Sequence, residues 1–292
     1  MNASHLVVLG LIHHEDGVRT QSQRNRAVLV RQGLRKLGLY VSEAEEFRQE
    51  VGRLDSEPFL ASRAAVLRRL WAQEVHHLRE IRRRRGSRLT IPFRERRQAF
   101  RGVFSVVWDQ ESLLHAFRRL EIEAALSRKH VRIWNTVVES DAMGAIVLED
   151  GFYLRNESGP TDVASLVREG FPDHDLIDLA GGLTRESLEL PESQGQALSL
   201  PFLVANTTCG YFISKRACQA LVEMVGANKE LLYLAPNFLI TELNTTDFEG
   251  STLALQPAVG SRVQGWNSGE LNSLLAPRAS WFVEDKGGDN RA

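Results

Sequence analysis

The sequence predicts a single α/β domain, and three observations favour that class. A nearly all-apolar segment, residues 5–12, opens the chain and is typical of a strand covered on both faces of its sheet. Segments with helical periodicity then alternate with further apolar segments of strand length, at 144–150 and 173–182. No internal repeat or Pro/Gly-rich linker divides the sequence. We therefore expect residues 1–282 to form one domain and residues 283–292 to form a disordered tail.

The composition shows that the protein has almost no net charge. Of the 292 residues, 43% are hydrophobic and 25% are charged, and the formal net charge is -1. Such a chain is typical of a soluble globular protein and has no overall field that attracts nucleic acid or membrane. The first apolar run is short and is broken by His13 and His14, which favours a strand over a signal peptide. Because Cys209 and Cys218 make no disulfide framework, we expect a cytoplasmic protein.

The first half of the chain is predicted to be mainly helical after its opening strand. A helix is expected at residues 24–37, where Arg24 and the free N–H groups of the first turn suit a diphosphate; a solvated helix start is the alternative. Residues 43–119 are highly charged with helical spacing, so we expect a helical, arginine-rich insertion there. Within it, residues 102–108 are apolar enough to suggest a strand.

A basic run from Arg82 to Arg101 is the strongest local charge in the sequence. Clustered guanidinium groups favour phosphate, so anionic lipid headgroups on the inner membrane face, a polyanionic acceptor or RNA are candidate partners. The run has none of the aromatic pattern of an RNA-binding module, so nucleic acid is not expected. A solvated helical face, partly paired with nearby glutamates, is the alternative.

The second half alternates helix and strand. A helix at about 119–140 precedes the apolar strand 144–150, and residues 184–198 are polar and are predicted to be irregular. Residues 202–214 suggest a strand or hairpin, followed by a helix that begins near Ser214 and ends at Gly226.

Two acidic residues, Glu149 and Asp150, end the apolar strand and precede Gly151. In open α/β sheets, ligands lie beyond the carboxyl ends of the strands. Two carboxylates at such an end suit a hard divalent cation, Mn²⁺ or Mg²⁺, that bridges the phosphates of a nucleotide. An acidic turn that simply closes the strand is the alternative.

Several of these residues stand in a recognisable order. Glu123, His130 and Trp134 on the predicted helix, followed by the Leu148–Asp150 tripeptide, resemble glycosyltransferase family 25, the lipopolysaccharide-biosynthesis and collagen-galactosyltransferase type. The segments "DHDLIDLAGG" and "TTCGYFISKRACQALVEM" resemble later motifs of that family, and "SQRNR" resembles a motif after its first strand. The resemblance is moderate over residues 121–265 and weak over residues 5–42.

The resemblance implies a single-domain, Rossmann-like A-type fold and an inverting transfer of a hexose, such as galactose, from a UDP-sugar to a hydroxyl of a glycan or lipid-linked acceptor. It implies a metal held by Glu149 and Asp150. The family has aspartates where this chain has Gly151 and Asn237, so a degenerate domain that binds without turnover is the alternative. The other implied roles are donor binding by Arg24, Glu123, His130, Thr207 and Tyr211, and base chemistry by Asp175 or Glu242. For His130, a buried core histidine is the alternative.

Overall fold

The protein has a mixed α/β fold built on one seven-stranded mixed sheet. The structure, a computed structural model, describes residues 7–12, 45–47, 63–84, 92–149, 152–154, 173–180, 197–205, 208–255 and 260–262. The helix predicted at 24–37 and the tail predicted at 283–292 lie outside these ranges.

The seven-stranded sheet contains both parallel and antiparallel neighbours, in the order β2-β1-β3-β7-β5-β8-β6. Strand β1 lies between β2 and β3 and is parallel to both. Strand β7 is antiparallel to its neighbours β3 and β5, and β8 is parallel to β5. Strands β4 and β9 form a separate two-stranded ribbon. The strands are β1 Val7–Ile12, β2 Glu45–Phe47, β3 Gly144–Glu149, β4 Phe152–Leu154, β5 Leu176–Asp178, β6 Ala197–Leu200, β7 Gly210–Ser214, β8 Thr252–Leu255 and β9 Gly260–Arg262.

Two of the helices begin with a capping side chain. Asp109 accepts a hydrogen bond from the backbone N–H of Ser112 at 2.9 Å, and Ser214 accepts one from Ala217 at 3.1 Å. The Ser214 cap confirms the predicted helix start. The helices are α1 Arg63–Arg84, α2 Phe93–Trp108, α3 Gln110–Glu139, α4 Lys215–Ala227 and α5 Pro236–Glu242, with short 3₁₀ helices at Lys229–Tyr233 and Leu243–Thr245.

Helices α3 and α4 cover one face of the sheet and bury the main core against it. Trp134 and Val137 of α3 are fully buried with Val147 of β3 and Tyr211 of β7. The side chains of Ala145, Val147 and Glu149 share this face because residues alternate along a strand. The face that forms the core therefore also carries Glu149 at its end.

The predicted insertion is helical but differs from expectation in two places. Residues 102–108 belong to helix α2 and not to a strand, because Val103, Val106 and Val107 have helical spacing and are buried against α1 and α3. At the other end of the range 43–119, β2 is an edge strand of the main sheet, parallel to β1. Residues 45–47 of the range predicted as the helical insertion therefore belong to the sheet.

Strand β6 was not predicted, since residues 184–198 were expected to be irregular. Its side chains alternate between exposed and buried, with Leu198 and Leu200 packed inward, and it pairs with β8 at the sheet edge. Among the described residues of the segment 202–214, the strand is β7, Gly210–Ser214. In the described parts of the chain, none of the helices is both long and apolar enough to cross a bilayer.

Candidate functional site

The site is centred on the carboxyl ends of β1 and β3. The chain places β2 on one side of β1 and then returns to place β3 on the other, so strand order reverses at β1. Loops diverge at such a point and leave a crevice beyond the strand ends, where ligands bind in open α/β sheets. Ile12, the last residue of β1, pairs with Glu149, the last residue of β3. Glu149 therefore lies at the carboxyl end of β3, as predicted from the sequence.

The carboxylate of Glu149 is held by two side chains. The hydroxyl of Thr208 donates a 2.7 Å hydrogen bond to Glu149 Oε1, and His130 Nε2 lies 3.5 Å from the same oxygen. The backbone N–H of Glu149 donates to the carbonyl of Cys209 at 2.8 Å. The side chain of Glu149 is 10% exposed, whereas that of His130 is fully buried. The carboxylate is thus oriented at the boundary between core and crevice.

On the side of the ring away from Glu149, hydrogen bonds connect His130 to Tyr211 and Tyr211 to Trp134. His130 Nδ1 lies 2.6 Å from the hydroxyl oxygen of Tyr211, and Trp134 Nε1 donates to that oxygen at 3.3 Å. Because an indole N–H can only donate, the Tyr211 oxygen accepts there. In the neutral imidazole tautomer that carries its proton on Nε2, facing Glu149, Nδ1 accepts the proton of the Tyr211 hydroxyl.

The Tyr211 hydroxyl is kept protonated by its surroundings. Burial raises the pKa of Tyr211 well above 10.0, and the Trp134 hydrogen bond offsets this only in part. The nearby Glu149 carboxylate raises the pKa further, because a second negative charge beside it is unfavourable. The Tyr211 hydroxyl therefore stays neutral across the physiological pH range. The side chain of Tyr211 is buried in the core, and its predicted role in donor binding stays a prediction.

Helix α3 carries the predicted residues Glu123, His130 and Trp134 along one stripe. Residues seven apart lie on the same side of a helix, about 10 Å apart along its axis. Since α3 runs antiparallel to β3 and His130 reaches the carboxyl end of that strand, Glu123 lies beyond the strand end. There it accepts a hydrogen bond from Gln73 of α1. The structure thus brings Glu123 to the crevice side of the sheet.

A cavity of about 260 Å³ opens beside this contact. Gln73 lines it and also donates to the carbonyl of Tyr233 at 2.9 Å. Arg69, which is 4% exposed, lines the cavity, pairs with Glu230 at 3.1 Å and stacks over the ring of Tyr233. Glu242, predicted as a candidate base, lines the same cavity. Glu242 therefore lines this cavity, and Glu123 is linked to it through the hydrogen bond from Gln73.

Asp175, the other predicted base, is not brought to Glu149. It precedes β5, at the end of the sheet where Ser214 pairs with Gly144. Glu149 stands at the opposite end of β3, about 16 Å away along the strand. The carboxylate of Asp175 accepts hydrogen bonds from Ser214 at 2.7 Å and from Arg216 at 2.5 and 3.1 Å. This geometry fits a residue that ties β5 to α4.

A larger cavity of about 640 Å³ lies at this opposite end of the sheet. It is lined by Asp175 and Arg216 together with Lys215, His174 and Asp141. Because it lies at the amino ends of the parallel strands, it is not where an α/β sheet binds its ligand. Size alone does not identify the functional cavity here.

Two residues of the site were not predicted. Thr208 directly follows Thr207, to which the donor-binding role was assigned, and Gln73 lies in the insertion that the resemblance did not cover. Thr208 could have been found from its position just before β7, because that strand pairs with β3 and begins near Glu149. Arg24, Asp150 and Thr207 lie outside the described residues, so their predicted roles stay predictions.

The predicted cation site is incomplete in the part of the chain that is described. Within that part, no three histidine, cysteine or acidic side chains come together to hold a metal ion. Glu149 is the acidic residue at the strand end, and its Oε1 already contacts Thr208 and His130. The described residues do not fit a metal by themselves, so Mn²⁺ or Mg²⁺ binding stays a prediction that also requires Asp150.

Comparison with known proteins leaves the family open. No protein-family model matches the chain, and no curated protein matches it significantly.

Proposed function

We propose that the protein transfers a hexose from a UDP-sugar to a hydroxyl group of a glycan or lipid-linked acceptor, with inversion at the anomeric carbon. The observation that carries the proposal is the position of Glu149. It ends β3 at the point where strand order reverses, and Thr208 and His130 hold its carboxylate at that strand end. A nucleotide donor fits this place because diphosphates bind beyond the carboxyl ends of such strands.

The sheet supports the Rossmann-like part of the proposal. Strands β2, β1 and β3 form the parallel half-sheet on which nucleotides bind in doubly wound folds. The antiparallel β7 then brings Tyr211 and Thr208 back to the end of β3. We propose an A-type glycosyltransferase fold because it agrees both with this sheet and with the order of the motifs in the sequence.

In this proposal the residues have distinct tasks. Glu149, together with Asp150, would hold a divalent cation that offsets the negative charge of the donor diphosphate, and His130, Tyr211 and Trp134 hold the Glu149 carboxylate in position. In the transfer itself, the acceptor oxygen attacks the anomeric carbon, the bond to UDP breaks, and a carboxylate takes the acceptor proton. We assign the proton to Glu242, since Asp175 lies at the far end of the sheet.

Release of UDP from a panel of UDP-hexoses, measured with Mn²⁺ or Mg²⁺ present, tests the proposal. Glu149→Gln keeps the size of the side chain but removes its charge, and we expect a loss of roughly 100-fold or more in kcat/KM. The matched control is Glu139→Gln, an exposed glutamate at the far end of α3, which we expect to behave like the parent. A parent protein that neither binds UDP nor releases it would overturn the proposal.

A second candidate is a domain that binds a nucleotide or glycan without turnover. Gly151 and Asn237 favour it, because they replace carboxylates expected near the donor. This candidate predicts measurable UDP affinity in the parent and no UDP release with any donor. Calorimetric titration with UDP, run beside the release assay, therefore separates the two functions.

A further inference from the structure

Helix α2 exposes a row of large aromatic side chains. Phe93 is 80% exposed and Trp108 is 61% exposed, while Phe100 and Phe104 are exposed to 43% and 39%. The rings contact one another along the helix: Phe104 stacks on Trp108 with centroids 4.4 Å apart, and Phe100 lies 6.0 Å from Phe104. Single exposed apolar residues are ordinary, but a contiguous patch of this kind marks an interaction surface.

Arginines lie among these rings on the same side of the helix. Helical spacing places Arg97 between Phe93 and Phe104, and Arg101 next to Trp108; both are exposed. The one acidic residue of α2, Glu95, falls on the other side, towards the buried valines. We call the set Phe93, Arg97, Phe100, Arg101, Phe104 and Trp108 the α2 outer face.

We propose that the α2 outer face docks the protein on an anionic lipid bilayer. Aromatic rings enter the region between headgroups and acyl chains, and arginines on the same helix attract the lipid phosphates. The face satisfies both requirements, because it combines exposed aromatic side chains with guanidinium groups and has no carboxylate of its own. Charge complementarity thus selects an anionic surface as the occupant.

Two other occupants fit the face less well. A second copy of the chain, related by a two-fold axis, would bring this basic face against the same basic face of its partner, and the face carries no carboxylate to neutralise Arg97 and Arg101. A single-stranded nucleic acid needs open ring faces for its bases, whereas Phe104 and Trp108 already stack on each other with an interplanar angle of 18°. A bilayer requires neither arrangement.

A residue of the α2 outer face also contacts a residue that lines the cavity of about 260 Å³. Trp71 of α1 lies edge-on to Phe100, with centroids 5.6 Å apart, and it lines the cavity that contains Glu242. If the proposed transferase function holds, on which this step rests, docking would bring the cavity to the headgroup of a lipid-linked acceptor. Docking itself does not depend on that function.

Vesicle co-sedimentation of the full chain tests the proposal. We expect binding to vesicles of phosphatidylcholine mixed with phosphatidylglycerol, little binding to phosphatidylcholine alone, and weaker binding as salt is raised. Removing both guanidinium groups with Arg97→Gln and Arg101→Gln should weaken binding roughly 25-fold, about fivefold per arginine. The matched control, Arg132→Gln with Lys229→Gln, removes the same charge from exposed positions on other elements and should leave binding unchanged.

A second measurement tests the rings. Vesicles with brominated acyl chains should quench tryptophan fluorescence in the parent and much less in Trp108→Phe, which preserves packing. An excess of inorganic phosphate should not displace the protein, since a bilayer offers both charge and apolar depth. The proposal is overturned if neither vesicle binds, if the control pair weakens binding as much as the arginine pair, or if a single-stranded oligonucleotide binds in place of vesicles. Concentration-dependent dimerisation abolished by Trp108→Ser would overturn it in favour of a second copy.

Discussion

His130 Nδ1 lies 2.6 Å from the hydroxyl oxygen of Tyr211, and this buried contact joins helix α3 to the antiparallel strand β7. The other imidazole nitrogen faces Glu149 at 3.5 Å. His130 thus connects the core to the crevice through one ring. The sequence left open whether this histidine is a core residue or faces the ligand; the structure shows that it is buried and that it contacts a carboxylate at the site.

Replacement of His130 by phenylalanine should affect both stability and the site. The variant keeps a ring of similar size but removes the His130 hydrogen-bond partner of the buried Tyr211 hydroxyl, which costs about 1 to 3 kcal/mol of unfolding free energy. Urea unfolding measures this cost. Because Glu149 loses one of its two orienting contacts, we also expect a lower kcat at unchanged acceptor KM. A variant as stable as the parent would contradict the assigned hydrogen-bond chain.

Thr208 should matter through its hydroxyl alone. Thr208→Val removes the 2.7 Å hydrogen bond to Glu149 and keeps the shape of the side chain. A hydrogen bond to a charged group is worth about 1.5 to 3 kcal/mol, so we expect a measurable loss of stability and of UDP affinity. Thr208→Ser restores the hydroxyl and is the control. Equal UDP dissociation constants for the valine and serine variants would rule out a role in orienting the carboxylate.

Asp175→Ala should reduce stability without removing the donor site. The substitution deletes the acceptor for Ser214 and Arg216, so we expect a loss of about 2 to 4 kcal/mol in unfolding free energy. UDP affinity, measured where the variant is fully folded, should match that of the parent. Asp175→Asn, which retains one acceptor oxygen, should fall between the two. Loss of UDP release by a fully folded Asp175→Asn variant would restore the catalytic role predicted from the sequence.

Because Tyr211 is buried, we expect the protein to lose stability at high pH. In the unfolded chain tyrosine ionises near pH 10, whereas burial holds the folded pKa well above 10.0. Above pH 10 the folded state therefore binds one proton more than the unfolded state, and the unfolding free energy falls by about 1.4 kcal/mol per pH unit. Below pH 10 the contribution is fully present.

Tyr211→Phe isolates this effect, because it removes the titrating group and keeps the ring. Burial also raises the pKa of the Cys218 thiol, a group that is present in both proteins. We expect the slope of unfolding free energy against pH, measured by urea titration above pH 10, to be shallower in the variant. Identical slopes would mean that Tyr211 ionises in the folded protein as it does in the unfolded chain.

Metal and donor should bind interdependently. Glu149 and Asp150 are the acidic pair at the strand end, and Gly151 stands where the resembling family has an aspartate. With few carboxylates available, we expect negligible Mn²⁺ binding without UDP and clear binding once UDP is present. Gly151→Asp should tighten Mn²⁺ binding in the absence of UDP. Calorimetric titration decides this, and strong binding by the unmodified apo protein would show that another side chain completes the site.

The sequence by itself determined the alternation of elements and the end of the strand that carries Glu149. The apolar runs predicted at 5–12 and 144–150 contain β1, Val7–Ile12, and β3, Gly144–Glu149, and β3 is buried along most of its length, as a continuous apolar run predicts. The Ser214 cap also fixed the start of α4, since capping depends on neighbouring backbone groups only. Local chemistry is sufficient for both.

Local pattern was insufficient where partners decide the structure. Val103, Val106 and Val107 suit a strand or a helix, and only burial against α1 and α3 selected the helix. Strand β6 is stabilised by pairing with β8, which lies more than fifty residues later in the sequence. The residues near β6 therefore did not predict a strand.

Tertiary structure also decided which acidic residues meet. Asp175 and Glu149 both adjoin strands of one sheet, but pairing register places them at opposite ends. The sequence gives the spacing of residues along each strand, but it does not give the register in which two strands pair. The same register brought Thr208 to Glu149 and Tyr211 to His130, because those contacts join segments whose relative positions exist only once the sheet has formed.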